Sequence, residues 1–180
     1  MILKYISIGI ILICITLKVH AQDTSRLTTT TPLGTKLDYR KDGNNYLLVL
    51  KKGQPVIASL VAFMAKEKLA GASISGIGAV ENTTVAYYNI PQQRYIYQKF
   101  DQSMEVLSLT GNLGYFENQP IVHAHVALAA SDYKVFGGHV KEAYVSLILE
   151  IFITPTTKPI TREWNKDFPE LRTMTPLNDK

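Results

Sequence analysis

Apolar positions recur at helical spacing in one part of the chain and form short β-like runs in most of the rest. After Pro55 they follow the three- and four-residue period of an amphipathic helix as far as Lys68. Pro55 suits a first helical turn, which tolerates a missing N–H. The pattern therefore predicts one helix here. Its apolar face would consist of Val56, Leu60, Val61, Phe63, Met64 and Leu69.

Most of the other apolar runs are typical of β-strands, because they are rich in β-branched and aromatic residues and are separated by Gly, Asn, Pro and Asp. They predict a chain that is mostly sheet. The expected strands cover residues 46–50, 72–78, 83–89, 94–100, 104–112, 122–130, 134–140 and 144–154.

Two polar segments flank this region. Residues 22–44 are rich in Thr and other polar residues at their start and predict an exposed lead-in. Residues 155–180 contain several prolines and predict an irregular tail, part of which Trp164, Phe168 and Leu171 would hold against the domain. The folded domain should therefore lie between the two segments.

The first 21 residues have the pattern of a cleaved export signal. Lys4 gives a positive start, residues 6–17 are almost entirely apolar, and small residues end the segment at Ala21, where we expect cleavage. A membrane anchor is the alternative, but this run is shorter than the about 20 residues that span a bilayer, and Lys18 interrupts it. The remainder of the chain is thus expected in the periplasm or outside the cell.

Removing this segment changes the composition. The full chain has 19 Lys and Arg, 15 Asp and Glu, one Cys and a net charge of +4. Lys4, Lys18 and Cys14 lie in the signal, so 17 basic residues, a net charge of +2 and no cysteine remain. Disulfides, thiolate metal sites and a Cys nucleophile are excluded. A weakly basic chain without a Lys/Arg run is also a poor candidate for a dedicated DNA-binding protein, since affinity for DNA depends on many cations meeting phosphates.

A glycine-rich segment runs from Ser75 to Gly78 and contains Gly-x-Gly, which raises the question of a dinucleotide site. The third glycine of that motif is missing, and a strand-like run follows where a phosphate site needs a helix N-terminus. Close backbone packing is the better interpretation.

The histidines carry the strongest chemical signal. His20 leaves with the signal segment, and the other three, His123, His125 and His139, lie within 17 residues of one another. Because His123 and His125 are two residues apart on a predicted strand, they share a face, at a spacing of roughly 6.5–7 Å.

The position of His139 depends on a hairpin loop. If residues 131–133 form the loop and Ala130 pairs with Lys134, His125 stands opposite His139, with Cβ atoms about 5 Å apart. A loop of two or four residues would turn His139 to the other face, unless a bulge at Gly137 and Gly138 restored it.

Three neutral imidazoles on one face suit a transition metal. Zinc is favoured, and Fe, Ni, Co or Cu are possible; the fourth coordination position would stay open for a water nucleophile or a small molecule. The alternative is a polar His-x-His pair on a solvated strand, with His139 as a turn residue. The shared face favours the metal.

Two acids lie in apolar runs. Glu105 and Glu150 could accept an imidazole N–H and orient a ligand, or could point outward to solvent. Asp132 alone does not complete a serine triad, and no nucleophile elbow is present.

Three motifs taken together resemble the plants-and-prokaryotes-conserved (PPC) domain family: MEVLSLTGN at residues 104–112, PIVHAH at 120–125 and GGHV at 137–140. The resemblance covers residues 45–154. It implies an α/β (α+β) domain with a largely antiparallel central sheet of about seven strands, flanking helices and assembly as a homotrimer. It also implies a metal at the three histidines, as in some bacterial and archaeal members.

The same resemblance brings a DNA-binding label, because plant members carry an AT-hook before the domain. No Arg-Gly-Arg-Pro-like hook is present in this chain. Three functions are thus open: an exported trimeric metal-binding protein with a role in binding or assembly, a metal-dependent hydrolase or lyase with Glu105 or Glu150 as base, and a DNA-associated protein. Salt-dependent affinity for duplex DNA would favour the third, and metal-dependent turnover would favour the second.

Overall fold

The computed structural model describes residues 27–30 and 36–176, and the expected signal at residues 1–21 lies outside them. Within the described part the chain forms ten strands and one helix. They are β1 (Leu27–Thr30), β2 (Lys36–Asp42), β3 (Asn45–Lys51), α1 (Val56–Glu67), β4 (Ala72–Asn89), β5 (Arg94–Phe100), β6 (Met104–Phe116), β7 (Gln119–Ala129), β8 (Val135–Pro155), β9 (Thr161–Trp164) and β10 (Arg172–Met174).

All of these strands belong to one sheet. Four of them close a circuit of antiparallel pairs, in which β4 pairs with β6, β6 with β7, β7 with β8 and β8 with β4. β5 adds to β4, while β3, β2 and β1 follow one another outward from β8. β9 pairs in parallel with β6, and β10 is antiparallel to β9. The predicted antiparallel sheet is therefore present, with more strands than the expected seven and with one described helix in place of several.

The predicted helix is confirmed as α1. Pro55 precedes it in an extended conformation, and its carbonyl accepts the N–H of Ser59 at 3.1 Å. Lys68 ends it with a left-handed conformation at φ 50°, and the N–H of Leu69 then donates to the Met64 carbonyl at 3.2 Å. Its apolar face enters the core that it shares with the sheet. The buried side chains of this face are Val56, Ser59, Leu60, Phe63 and Met64.

Two pairs of predicted strands are single long strands in the structure. The segments at 72–78 and 83–89 form β4, and those at 134–140 and 144–154 form β8. The polar residues between them do not reverse the chain: Asn82 takes φ 47° within β4, where the register to β8 shifts. Bulges therefore bend these strands where the sequence suggested turns.

The predicted lead-in is not exposed over its whole length. Leu37 and Tyr39 on β2 are buried, and the ring of Tyr39 packs edge-on against Phe63 with centroids 5.0 Å apart. The reason is strand alternation: these two residues face the core while their polar neighbours Lys36 and Arg40 face solvent.

The C-terminal segment, predicted to be irregular, contains β9 and β10. Trp164 packs edge-on against Phe116 with ring centroids 5.1 Å apart, and Phe168 contacts Tyr88 at 6.2 Å. The parallel pairing of β9 with β6 brings this segment beside the histidine hairpin described below.

The glycines of the Gly-x-Gly segment permit close packing of strands, as the sequence suggested. A Cβ on Gly76 would lie 2.8 Å from the Glu150 carbonyl oxygen, and one on Gly78 would lie 2.2 Å from that of Ile148. Both glycines lie inside β4, so no helix N-terminus follows them.

Candidate metal site

The hairpin of β7 and β8 carries all three predicted ligands. Its loop has three residues, closed by a hydrogen bond from the Ala130 N–H to the Lys134 carbonyl at 2.9 Å. Tyr133 in the loop has φ 62°, which lets so short a loop reverse the chain. His125 is paired with His139 across the two strands. The register predicted from the loop length is confirmed.

The three imidazoles converge on one face of the hairpin. The ring centroids are 5.4 Å apart for His123 and His125, 5.1 Å for His123 and His139, and 5.5 Å for His125 and His139. One nitrogen from each ring lies within 4.8 Å of the other two. The three imidazoles thus form a near-equilateral triangle. Among the described residues, this is the cluster of three His, Cys, Asp or Glu side chains whose ligand atoms are close enough to hold one metal ion.

Gly137 and Gly138 hold β8 close to its neighbours. Their pairing with β7 is continuous, so the bulge considered from the sequence is not present there. A Cβ on Gly137 would lie 2.3 Å from the Val126 carbonyl oxygen, and one on Gly138 would lie 2.8 Å from that of Ala86. Only glycine permits this approach of backbone to backbone, which brings His139 into the triangle.

The residues present fit a transition metal. The Nδ1 atom of His139 is buried and has no hydrogen-bond partner, which is costly for a polar atom unless something binds it. Three imidazoles bound to one tetrahedral zinc ion place their nitrogens about 3.3–3.4 Å apart, given Zn–N distances of about 2.0–2.1 Å. That spacing is compatible with the observed cluster, in which the three nitrogens all lie within 4.8 Å of one another.

Two of the imidazoles are held in the neutral form that binds metals. Burial is the main cause that lowers the pKa of His123 to about 4, with further contributions from Arg162, His139 and His125. The pKa of His139 also falls to about 4, through burial first and then through His125, Lys141 and Arg162. At neutral pH neither imidazole has to lose a proton before it can bind an ion.

Arg162 of β9 is a site residue that the sequence did not indicate. It is buried, and its guanidinium donates from Nη2 to Asn112 Oδ1 at 2.9 Å and from Nη1 to the Arg172 carbonyl at 2.8 Å. Asn112 stands opposite His123 on the neighbouring strand, so the charge lies next to the imidazoles. An arginine in a short polar segment resembles a surface residue, and no local pattern marks this one as buried.

A cavity of about 420 Å³ opens beside His123 and His139. The wall includes Tyr95, whose ring lies 5.5 Å from that of His139 and inclined to it by 30°. Glu170 accepts the Tyr95 N–H at 3.1 Å. The remaining wall is aromatic, aliphatic and basic. It is formed by Ile57, Ala86, Tyr97, Ile121, Val122, Val140, Lys141, Arg162, Trp164 and Arg172.

The predicted acidic partners lie elsewhere. Glu105 and Glu150 are both exposed, line neither the triangle nor the cavity, and form no hydrogen bond to an imidazole in the described structure. Each alternates with side chains that fill the core, such as Leu149 and Ile151 on either side of Glu150. Asp132 lies in the hairpin loop, in an exposed ion pair with Lys134 at 2.7 Å.

Comparison with known proteins gives a family. A family model described as the Plants and Prokaryotes Conserved (PCC) domain matches residues 37–157, a span that includes all three histidines. The family predicted from the three sequence motifs is confirmed. No curated protein matches the chain.

Three solved structures have the same fold. A plant- and prokaryote-conserved protein from Pyrococcus horikoshii is 30% identical, with 78% of this chain and 96% of that chain covered and a TM-score of 0.67. A candidate DNA-binding protein from Bacteroides thetaiotaomicron is 28% identical, with 77% and 96% covered and a TM-score of 0.73. A metal-containing protein from Archaeoglobus fulgidus is 26% identical, with 76% and 96% covered and a TM-score of 0.68.

The lowered pKa values predict how the stability of the metal-free protein depends on pH. Unfolding returns His123 and His139 to the ordinary pKa of 6.5, from about 4 in the folded protein. Between these values the unfolded chain binds more protons than the folded one, so the free energy of unfolding falls as the pH falls from 6.5 towards 4. Above about pH 7.5 these two residues cause almost no further change, because both states are then deprotonated. Urea denaturation of chelator-treated protein at several pH values measures this.

The double variant His123→Asn, His139→Asn serves as the control, because it keeps the carboxylates that titrate in the lower part of this range. Its stability should fall less between pH 6.5 and 5 than that of the original protein. Equal slopes for both proteins would contradict the assigned shifts.

Proposed function

This chain belongs to the Plants and Prokaryotes Conserved domain family, and we propose that it is an exported, homotrimeric member that binds one zinc ion through His123, His125 and His139. Its role is binding or assembly at that ion. The observation that carries the proposal is the convergence of three imidazole nitrogens within 4.8 Å of one another on the β7–β8 hairpin. The metal-containing relative from Archaeoglobus fulgidus supports a metal in this fold.

The set of donors favours zinc among the transition metals. Zinc binds imidazole nitrogen readily and forms sites with three protein ligands and one open position. Non-haem iron sites of the common type need a carboxylate beside two histidines, and no carboxylate belongs to this cluster in the described structure. Thiolates, which favour copper(I), are absent from residues 22–180.

The cavity favours a second candidate function, a metal-dependent hydrolase or lyase. A zinc ion held by three imidazoles would supply a Lewis acid with an open coordination position. Glu170 lines the cavity, whereas Glu105 and Glu150 do not, so Glu170 is the carboxylate placed to act as a base. Metal-dependent turnover that Glu170→Gln abolishes would establish this function.

The export proposal depends on the N-terminal sequence. A basic start, an apolar run and small residues before Gln22 form the pattern that signal peptidase reads. The absence of cysteine after Ala21 is compatible with an oxidising compartment but does not identify one. Among the residues described, no helix has the length and hydropathy needed to cross a bilayer.

An apolar patch on the outer face of the sheet supports assembly. Ile77, Leu107, Leu147 and Phe152 are each at least half exposed. Ile77 and Leu107 lie at the register shift between β4 and β6. Leu147 lies at the register shift between β4 and β8. Because β4 lies between β6 and β8, these three side chains are neighbours on adjacent strands. Exposed apolar patches of this kind mark interfaces, and the family resemblance implies that the partners are two further copies of the chain.

The first prediction from the proposed function concerns the metal. Purified protein should contain about one zinc ion per chain, and His125→Ala should reduce this to near background, because a site with three protein ligands loses one of them. Elemental analysis by mass spectrometry, after mild purification and after reconstitution with zinc, measures both.

Glu105→Gln and Glu150→Gln are the matched controls, because they remove charge from exposed positions on the same sheet. Both should keep the original zinc content. Zinc retained in full by His125→Ala, or none in the original protein after reconstitution, would refute the site.

The second prediction concerns assembly. Light scattering should give three times the chain mass, and Leu147→Lys should shift the protein towards the monomer by placing a charge in the apolar patch. Tyr133→Lys is the control: Tyr133 is 89% exposed in the hairpin loop, outside the patch. A monodisperse monomer of the original protein at micromolar concentration would contradict the proposal.

The third prediction concerns export. The chain produced in a Gram-negative host should be recovered from the periplasm or the medium, with Gln22 as its first residue by mass spectrometry. Leu12→Arg should keep the full-length protein inside the cell, because a charge interrupts the apolar run. Recovery of uncleaved original protein from the cytoplasm would contradict cleavage.

A further inference from the structure

The guanidinium of Arg162 lacks a counter-charge. Arg162 as a whole residue is 7% exposed, and its Nε is buried without a hydrogen-bond partner. The two hydrogen bonds that it forms go to neutral acceptors, Asn112 Oδ1 and the Arg172 carbonyl. No carboxylate in the described part of the chain forms an ion pair with it. Buried charges are normally paired, so this arrangement calls for an anion from outside the chain.

The charges around the cavity also favour an anion. Lys141 and Arg172 line it together with Arg162, and Glu170 is the one carboxylate in its wall. That carboxylate already accepts the N–H of Tyr95. The guanidinium of Arg172 stacks over the ring of Trp164 at 4.7 Å, which keeps its charge at the wall.

The cavity wall between these charged residues suits the apolar part of an organic ligand. Tyr95, Tyr97, Trp164 and Ile121 present aromatic and aliphatic surface. A volume of about 420 Å³ lies within the range of small-molecule sites, which are mostly apolar with a few placed polar groups. Inorganic phosphate would satisfy the arginine but leave these walls without a partner.

We propose that this cavity binds a small organic acid, with its carboxylate on Arg162 and its apolar body against the tyrosine and tryptophan side chains. Because His123 and His139 line the same cavity, the acid lies beside the zinc ion of the proposed function. Only this position next to the metal depends on the proposed function. The contact with Arg162 needs no metal.

The single tryptophan of the chain provides the measurement, because Trp164 forms part of the wall. Phenylacetate and phenylacetamide have the same shape and differ in charge. Titration of the original protein with each should give a saturable change in tryptophan fluorescence for the acid, with at least about tenfold weaker binding of the amide. Sodium phosphate is titrated in parallel.

Substitutions then assign the contact. Arg162→Met should weaken phenylacetate binding by at least about tenfold. The affinity of Arg162→Lys should lie between those of the original protein and Arg162→Met, because lysine keeps the charge but lacks the planar guanidinium that binds a carboxylate through two hydrogen bonds. Arg40→Met, at an exposed position of β2, is the control and should bind as the original does. Circular dichroism and zinc content, measured on the same samples, separate loss of the acid site from loss of the fold or the metal site.

The proposal fails if the acid and the amide bind alike, a comparison that needs only the original protein. It also fails if folded Arg162→Met keeps the original affinity, or if phosphate binds in an Arg162-dependent way and phenylacetate does not. Zinc binding without acid discrimination would refute the acid site and leave the proposed function standing. If the protein binds the acid more tightly than the amide but binds no zinc, the acid site is supported and the proposed function is refuted.

Discussion

The register of the β7–β8 hairpin is the constraint on which the site depends. A slip of one residue would turn His139 towards the core and push its neighbour Val140, which is 5% exposed, out to solvent. The short loop through Tyr133 and the close approach of Gly137 to Val126 oppose such a slip. The pairing of β8 with β4, in which His139 stands opposite Ala86, closes the circuit of strands in this register. The register that brings the three imidazoles to one face is therefore fixed by the burial of core residues on the opposite face.

The electrostatics of the site also favour metal binding. Burial keeps His123 and His139 neutral, so neither imidazole has to release a proton when the metal binds. This arrangement lowers the stability of the metal-free protein, because Nδ1 of His139 is buried without a hydrogen-bond partner. Functional sites commonly retain such unsatisfied groups, because the fold around them is stable enough to tolerate the cost.

Local patterns predicted the parts of this fold that are local in sequence. The helical period identified α1, and the loop length gave the pairing of His125 with His139, because a three-residue loop fixes which residues stand opposite each other. The long strands were missed, since a bulge at Asn82 contains the same residue types as a turn. Arg162 was missed for another reason, because it reaches the site through the parallel pairing of β9 with β6, in which it stands opposite Phe116. The periodicity of apolar residues does not predict which distant segments pair.

Arg162 also bears on how the metal and an acid would affect each other. Its positive charge lies near enough to lower the pKa of His123 and His139, so it must also oppose a cation bound by those imidazoles. Its buried position weakens the screening that water would otherwise provide. A carboxylate on the guanidinium would offset this charge and remove part of the repulsion. By linkage, an acid that strengthens metal binding is itself bound more strongly when the metal is present. The two proposed ligands therefore belong to one electrostatic unit, in which the arginine connects the cavity to the three histidines.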